Sequence, residues 1–143
     1  MKYSANAARP CGSNLEALQK MTIGVLPRRI LIVDDEPLIR WCIAETLGTA
    51  GHGITAAQDA ASALQALTDM PEPDVILLDL RLPDSSDLSL LERIRTIAPA
   101  AAVVVMTAFG TPEITTEALR LGARAVLTKP FDMQDLEHVV SAL

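Results

Sequence analysis

Val75-Ile-Leu-Leu-Asp79-Leu-Arg81-Leu-Pro83 is the stretch on which the fold turns. Val75 to Leu78 is apolar at every position, with no alternation of polar and apolar residues, and it runs straight into an acid. A strand that is apolar on both sides has to be covered on both sides, which is the condition of a central strand in a parallel sheet clothed by helices. The run Met70-Pro-Glu-Pro-Asp74 ahead of it forces a turn, so the strand is bounded at its start. Asp79 then stands where the strand leaves its cover.

Working outward, Ile30-Leu-Ile-Val33 has the same fully apolar character and also ends in acids, Asp34 and Asp35. Further strands are expected at Ile54–Ala57, Ala102–Met106 and Ala125–Leu127, with helical periodicity near Pro37–Ala50, Ala60–Thr68, Ser86–Ile97, Pro112–Leu121 and Met133–Leu143. Pro37 and Pro112 suit the first turn of a helix, and Gly51 and Gly122 suit helix C-termini. Strand and helix alternating in this way specify an α/β fold built of βαβ units. With five such units and no glycine-rich phosphate loop, the pattern favours a flavodoxin-like doubly wound sheet of order 2-1-3-4-5, with five helices, over a dinucleotide-binding half.

The chain has 143 residues, enough for one domain, and half of them are hydrophobic. Aromatic residues make up only 3%, so the core must be built from Leu, Ile, Val and Ala. A net charge of −6 argues against direct nucleic-acid binding, which needs a clustered Lys/Arg surface. Cys11 and Cys42 are too few and too irregular for a metal site or a disulfide framework. No signal peptide and no run of about 20 apolar residues is present, so the expectation is a cytoplasmic protein that does not enter the membrane. Residues 1–27 read as a flexible arm with one short helix announced by the capping-box spacing Ser13-Asn-Leu-Glu16, and residues 28–143 as the folded domain. Met1 and Met21 both stand as candidate starts.

In open parallel sheets the functional crevice lies outside the carboxyl ends of the strands. That places Asp34 and Asp35, Asp79, Thr107 and Thr128-Lys129-Pro130 together: three acids, a hydroxyl and an ammonium at the ends of four strands. Singly, each is an ordinary turn, cap or surface residue; the coincidence is what carries meaning. Three converging carboxylates repel unless a cation neutralises them, and oxygen-only ligands select a hard ion such as Mg²⁺. Asp79, expected to have the best access to both metal and solvent, is the candidate nucleophile for an acyl phosphate. Phosphoryl transfer asks mainly for positioning and charge neutralisation, which Mg²⁺, Lys129 and Thr107 would supply.

The segments Ile30-Leu-Ile-Val-Asp-Asp-Glu-Pro37, Val75-Ile-Leu-Leu-Asp-Leu-Arg-Leu-Pro83, Val105-Met-Thr-Ala-Phe-Gly110 and Leu121-Gly-Ala-Arg-Ala-Val-Leu-Thr-Lys-Pro-Phe131 resemble, in order and separation, the CheY-like receiver domains of bacterial two-component response regulators. The wording is most similar to receivers of NtrC-type regulators. The resemblance covers about Arg28 to Leu143. It implies Asp79 as phosphoacceptor, with Mg²⁺ (or Mn²⁺ in its place) held by Asp34, Asp35, Asp79 and the Arg81 backbone carbonyl. Lys129 and Thr107 would contact the phosphoryl oxygens. The donor would be a sensor histidine kinase or phosphotransfer protein, the reader an output domain or effector protein, and a homodimer would use the face from the fourth to the fifth helix, where Arg120 and Arg124 stand near Asp132, Asp135 and Glu137. Such a domain promotes only its own phosphotransfer and dephosphorylation and is not otherwise an enzyme.

Two positions depart from the pattern. Asp87 stands where the family usually has glycine, which implies either strain or a rebuilt loop, and Val126 stands where an aromatic residue is common. A haloacid-dehalogenase-like phosphatase would want a second acid two residues after the nucleophile, where Arg81 stands. A degenerate receiver acting as a phosphorylation-independent interaction module is the other alternative, against which the five chemical groups speak. The chain is equally readable as a fragment of a larger activator.

Overall fold

In a computed structural model, residues 26–143 are described; the expected helix after Ser13 and Cys11 lie outside them. Strands and helices alternate as β1 (Arg29–Val33), α1 (Pro37–Thr49), β2 (Gly53–Ala57), α2 (Ala60–Asp69), β3 (Val75–Asp79), α3 (Ser89–Ile97), β4 (Ala102–Thr107), α4 (Pro112–Arg120), β5 (Ala125–Thr128) and α5 (Met133–Ser141). All neighbouring strands are parallel, in the order β2-β1-β3-β4-β5.

The fully apolar strands are central. β3 is buried along its whole length, and Ile30 to Val33 of β1 are fully buried. Alternate side chains feed two separate cores. Leu31, Val33, Ile76, Leu78, Val103 and Val105 pack beneath α2, α3 and α4. Ile30, Ile32, Val75, Leu77, Val104 and Met106 pack beneath α1 and α5 with Ile43, Leu47, Leu136 and Val140. Two cores, one on each face, are the reason the strand sequence shows no alternation.

Gly51 and Gly122 end α1 and α4 with positive φ angles of 104° and 106°. At each, the glycine N–H donates to the carbonyl three residues back (Gly51 to Gly48 at 3.0 Å, Gly122 to Leu119 at 3.1 Å). The next N–H reaches back five residues, His52 to Leu47 at 3.2 Å and Ala123 to Ala118 at 3.0 Å. This paired pattern satisfies the orphan carbonyls of a helix end and needs a residue tolerant of left-handed backbone, which glycine is.

α3 begins at Ser89, three residues later than the expected Ser86. The cause is Asp87: its carboxylate accepts from the Ser89 N–H at 2.9 Å and the Ser89 hydroxyl at 2.6 Å, a local side-chain turn that competes with helix. A mutual pair of backbone bonds between Leu82 and Ser85, 2.9 and 3.2 Å, closes the loop upstream. At the position where glycine was expected, the Asp87 side chain thus closes a local turn on Ser89.

His52 is buried at the foot of the sheet, where its Nδ1 accepts from the Arg28 N–H at 3.1 Å. The Arg28 guanidinium donates to the carbonyls of Val140 and Leu143, tying the entry of β1 to the end of α5. Burial first, and then the Arg28 charge, hold the imidazole below its usual pKa. The unfolded chain therefore takes up a proton that the folded one resists, so His52 costs stability as pH falls through and below the unfolded value of about 6.5. Thermal melts between pH 8 and 5 should show wild type losing stability relative to His52→Gln as the solution is acidified; a gap that does not change with pH would contradict this.

Candidate functional site

At the carboxyl ends of β1, β3, β4 and β5 the chain turns outward, and each turn delivers one polar group. After β1, the Asp34 N–H donates to the Ala57 carbonyl at 3.0 Å, holding the residue in register. Its carboxylate accepts from the Glu36 N–H at 2.9 Å, and its carbonyl accepts from the Arg40 guanidinium at 2.7 Å. α1 starts at once, with Pro37 in its first turn. Asp34 is therefore fully buried, while Asp35, the next residue, is exposed.

Asp79 is the last residue of β3; one carboxylate oxygen accepts from the Arg81 N–H at 3.0 Å. The Leu80 N–H donates to the Met106 carbonyl at 3.1 Å, so the chain stays on the sheet for one residue more. Thr107 closes β4, buried, with its hydroxyl oxygen accepting from the Phe109 N–H at 3.1 Å. That leaves its hydroxyl proton free to donate. Lys129 follows β5, its N–H bonded to the Thr107 carbonyl at 2.8 Å, and its bond to Pro130 is cis.

The Lys129 ammonium connects these pieces. Nζ donates to Asp34 Oδ2 at 2.8 Å and to Asp79 Oδ2 at 3.1 Å, and lies 3.6 Å from Glu36 Oε1. Carboxylate oxygens of Asp34, Asp35 and Asp79 fall within 4.8 Å of one another. Three acids thus face one cation, with Asp35 beside two of them, and the surplus is negative. Burial, joined by the Asp34 charge, pushes the Asp79 carboxyl above its usual range, against the opposing pull of the Arg81 N–H and Lys129. Burial by itself would lower the Lys129 pKa, but its bonds to Asp34 and Asp79 outweigh that and hold it raised. The donor set fits a hard divalent ion: oxygen ligands alone, uncompensated negative charge, and one acid open to solvent. Beside it lies an open cleft of about 550 Å³ lined by Asp35, Arg81, Leu82, Pro83 and Ser86.

The expected residues Asp34, Asp35, Asp79, Thr107, Arg81 and Lys129 all lie at this edge. One expectation is corrected. Asp79 was to be the acid with best solvent access, yet it is only 4% exposed, because Lys129 and its neighbours cover it; Asp35 is the open one. Sequence reasoning missed three contributors. Glu36 was readable as the third acid of the run Asp34-Asp35-Glu36. The Arg40 bond to the Asp34 carbonyl had no local signal. The Arg81 guanidinium sits over the Phe109 ring at 4.5 Å to its centre, joining the loops after β3 and β4 across the mouth of the site.

This fold with this edge defines the class, and comparison with known proteins agrees. The chain belongs to the response regulator receiver domain family, matched over residues 30–141. It is 36% identical over 112 residues to regulatory protein AtoC of Escherichia coli (strain K12), covering 78% of this chain and 24% of that protein. It is 32% identical over 116 residues to sporulation initiation phosphotransferase F of Bacillus subtilis (strain 168), covering 81% of this chain and 93% of that one. Among solved structures, a CheY-like receiver domain protein from Methanospirillum hungatei JF-1 superposes with a TM-score of 0.76 at 28% identity, covering 81% of this chain and 92% of that one. NtrX from Brucella abortus gives 0.75 at 36% identity, with 82% of this chain on 27% of that chain. The chain thus spans about a quarter of the length of the AtoC and NtrC regulators and nearly all of the Bacillus protein. It is a receiver domain of the two-component type, with an acidic cluster able to hold a metal.

Removing Lys129 leaves two buried carboxylates facing each other, a change that costs about 3–5 kcal/mol in comparable pairs. Without metal, Lys129→Met should be destabilised on that scale at pH 7, and the deficit should shrink in acid as the carboxyls take up protons. Asp79→Asn should act in the opposite direction, gaining about 1 kcal/mol or a few degrees in Tm by removing a crowded charge. Urea titrations at pH 7 and pH 4.5 measure both; equal stability of Lys129→Met and wild type at pH 7 would contradict the electrostatic account.

Proposed function

We propose that Asp79 is the phosphoacceptor of this receiver and that Asp34, Asp35 and Asp79, with the Arg81 carbonyl, hold Mg²⁺, with Mn²⁺ as a substitute. The observation that carries this is the meeting of an Asp79 oxygen with the Lys129 ammonium at 3.1 Å, beside two further carboxylates within ligand distance. Bound Mg²⁺ would neutralise charge on the phosphoryl oxygens. The residues do the rest. A carboxylate oxygen of Asp79 forms the new bond to phosphorus while the bond to the donor's imidazole nitrogen breaks, and that nitrogen keeps the electron pair and takes a proton. Asp79 attacks as the anion, and Lys129 keeps that anion available despite burial. Once one Asp79 oxygen is esterified, the ammonium is free to follow the charge onto the phosphoryl group, and the Thr107 hydroxyl donates to another of its oxygens.

The donor on this reading is a histidine kinase or phosphotransfer protein, and the domain catalyses only its own phosphotransfer and dephosphorylation. Residues 28–143 form the receiver. The output is a further domain or a partner protein, in the cytoplasm; among the described residues no helix is long and apolar enough to cross a membrane. With acetyl phosphate and Mg²⁺, mass spectrometry should show one labile adduct, on Asp79. Asp79→Asn should fall below about 1% of the wild-type rate, since it removes the proposed nucleophile. Uptake by Asp79→Asn at the wild-type rate would overturn the assignment of Asp79, and no uptake by the wild-type chain would favour the alternative of a phosphorylation-independent interaction module.

The phosphorylated form, on the same reading, pairs through the face made by α4, β5 and α5. Leu119 is 48% exposed there, and Arg124, Asp132, Asp135 and Glu137 are exposed around it. Arg120, expected to take part, is instead engaged with Glu117 on its own helix. Across a two-fold axis Arg124 of one copy meets the acids of the other. Beryllofluoride should promote dimers in sedimentation velocity, Arg124→Glu should weaken them, and Asp135→Arg should partly restore them. Identical monomer profiles with and without beryllofluoride would leave a different protein as the reader.

A further inference from the structure

Asp84 belongs to no part of the chemistry described so far, yet its carboxylate makes two bonds across the molecule. One oxygen accepts from the Ala60 N–H at 2.8 Å and the other from the Ala61 N–H at 3.0 Å, at the start of α2 and 24 and 23 residues away in sequence. α2 already carries its own cap, because Asp59 accepts from the Ser62 N–H at 2.7 Å. A second carboxylate from a distant loop is more than the helix needs to begin. Two bonds from separate oxygens to successive N–H groups fix the carboxylate in orientation as well as in place.

Asp84 sits in the loop between β3 and α3, at a defined distance along the chain from Arg81. The other polar ties of that loop are short-range or run to the neighbouring strand: Arg81 to Asp79, Leu82 to Ser85, Asp87 to Ser89, and Leu80 to Met106. Leu80 and Leu82 are buried beneath it. Among the described residues, the Asp84 bonds are the loop's hydrogen-bonded link to another helix. Through the Leu82–Ser85 bridge, whose turn contains Asp84, that link reaches the peptide unit of Arg81.

We infer that Asp84 is a positioning residue for the metal site, which anchors the loop after Asp79 to the N-terminus of α2 and so fixes where the Arg81 carbonyl points. This rests on the metal reading given under the proposed function. The acid keeps its charge at working pH because the Ala60 and Ala61 N–H groups hold its carboxyl below the usual range. A group that orients a metal ligand from behind acts on affinity rather than on the reacting bond, and its loss costs on the order of tenfold in metal binding.

The test compares Asp84→Ala, Asp84→Asn and Asp59→Ala in the full chain, by following amide chemical shifts as Mg²⁺ is added and by hydrogen exchange without metal. Asp84→Ala should bind Mg²⁺ about tenfold more weakly. Asp84→Asn, which keeps one accepting oxygen, should lie between. Asp59→Ala removes a cap from the same helix without touching the loop; it should lower Tm and leave Mg²⁺ affinity at the wild-type value. Exchange at the Leu82 and Ser85 amides should accelerate in Asp84→Ala and not in Asp59→Ala. Wild-type Mg²⁺ affinity in Asp84→Ala would overturn the inference alone, as would equal weakening in Asp59→Ala, which would trace the effect to helix stability. Failure of the wild-type chain to bind Mg²⁺ would overturn the metal reading itself.

Discussion

The Lys129 ammonium, shared between Asp34 and Asp79, is the contact on which the arrangement of the site depends. Both acids are buried, and burying a carboxylate is costly unless a cation pairs with it. One ammonium is enough to hold the two carboxylates in place but not to balance the group, because Asp35 and Glu36 add to the same side. The site is therefore folded and yet short of positive charge. A structure in that condition is already shaped for a small cation and then for an anionic group carried beside it.

Holding Lys129 in position is the work of the fold. β5 is a short edge strand, and the lysine follows it directly. Its backbone N–H bonds to the Thr107 carbonyl at 2.8 Å, so the ladder between β4 and β5 runs up to the acidic edge without a break. Gly110 lies close against Thr128: a Cβ there would stand 2.9 Å from the Thr128 hydroxyl oxygen, so that side chain would have to shift. Thr107, Lys129 and Gly110 form one unit, and a displacement of the Thr107 hydroxyl toward a phosphoryl group would be felt directly in the segment leading to α4.

The loop after Asp79 follows a different logic. Beyond Leu80 it leaves the sheet, and its side chains hold it: Asp84 on the start of α2, Asp87 on the start of α3, and Arg81 stacked on Phe109 across to the β4 side. These bonds lie at the surface, where each competes with water and contributes modestly. Their value lies in geometry, since they fix the course of the loop between its neighbours.

The sequence by itself determined the sheet. Val75 to Leu78 and Ile30 to Val33 could be stable only with both faces covered, and the strand ends then had to collect Asp34, Asp35, Asp79, Thr107 and Lys129, because parallel strands put all their carboxyl ends on one side. Gly51 and Gly122 likewise announced their helix ends through a backbone requirement that is local. Contacts between segments distant in the chain were a matter for the tertiary structure. Nothing near Asp84 signals that it will meet Ala60, nothing near Arg81 signals Phe109, and the start of α3 was misplaced because the Asp87 turn competes with an otherwise helical pattern. The exposure of the acids was decided there too: adjacent residues Asp34 and Asp35 differ only in which side of the strand end they leave from, and packing against Lys129 buries one and leaves the other open. Periodicity and backbone chemistry are carried by neighbouring residues, whereas burial and long-range bonds exist only once the chain has closed on itself.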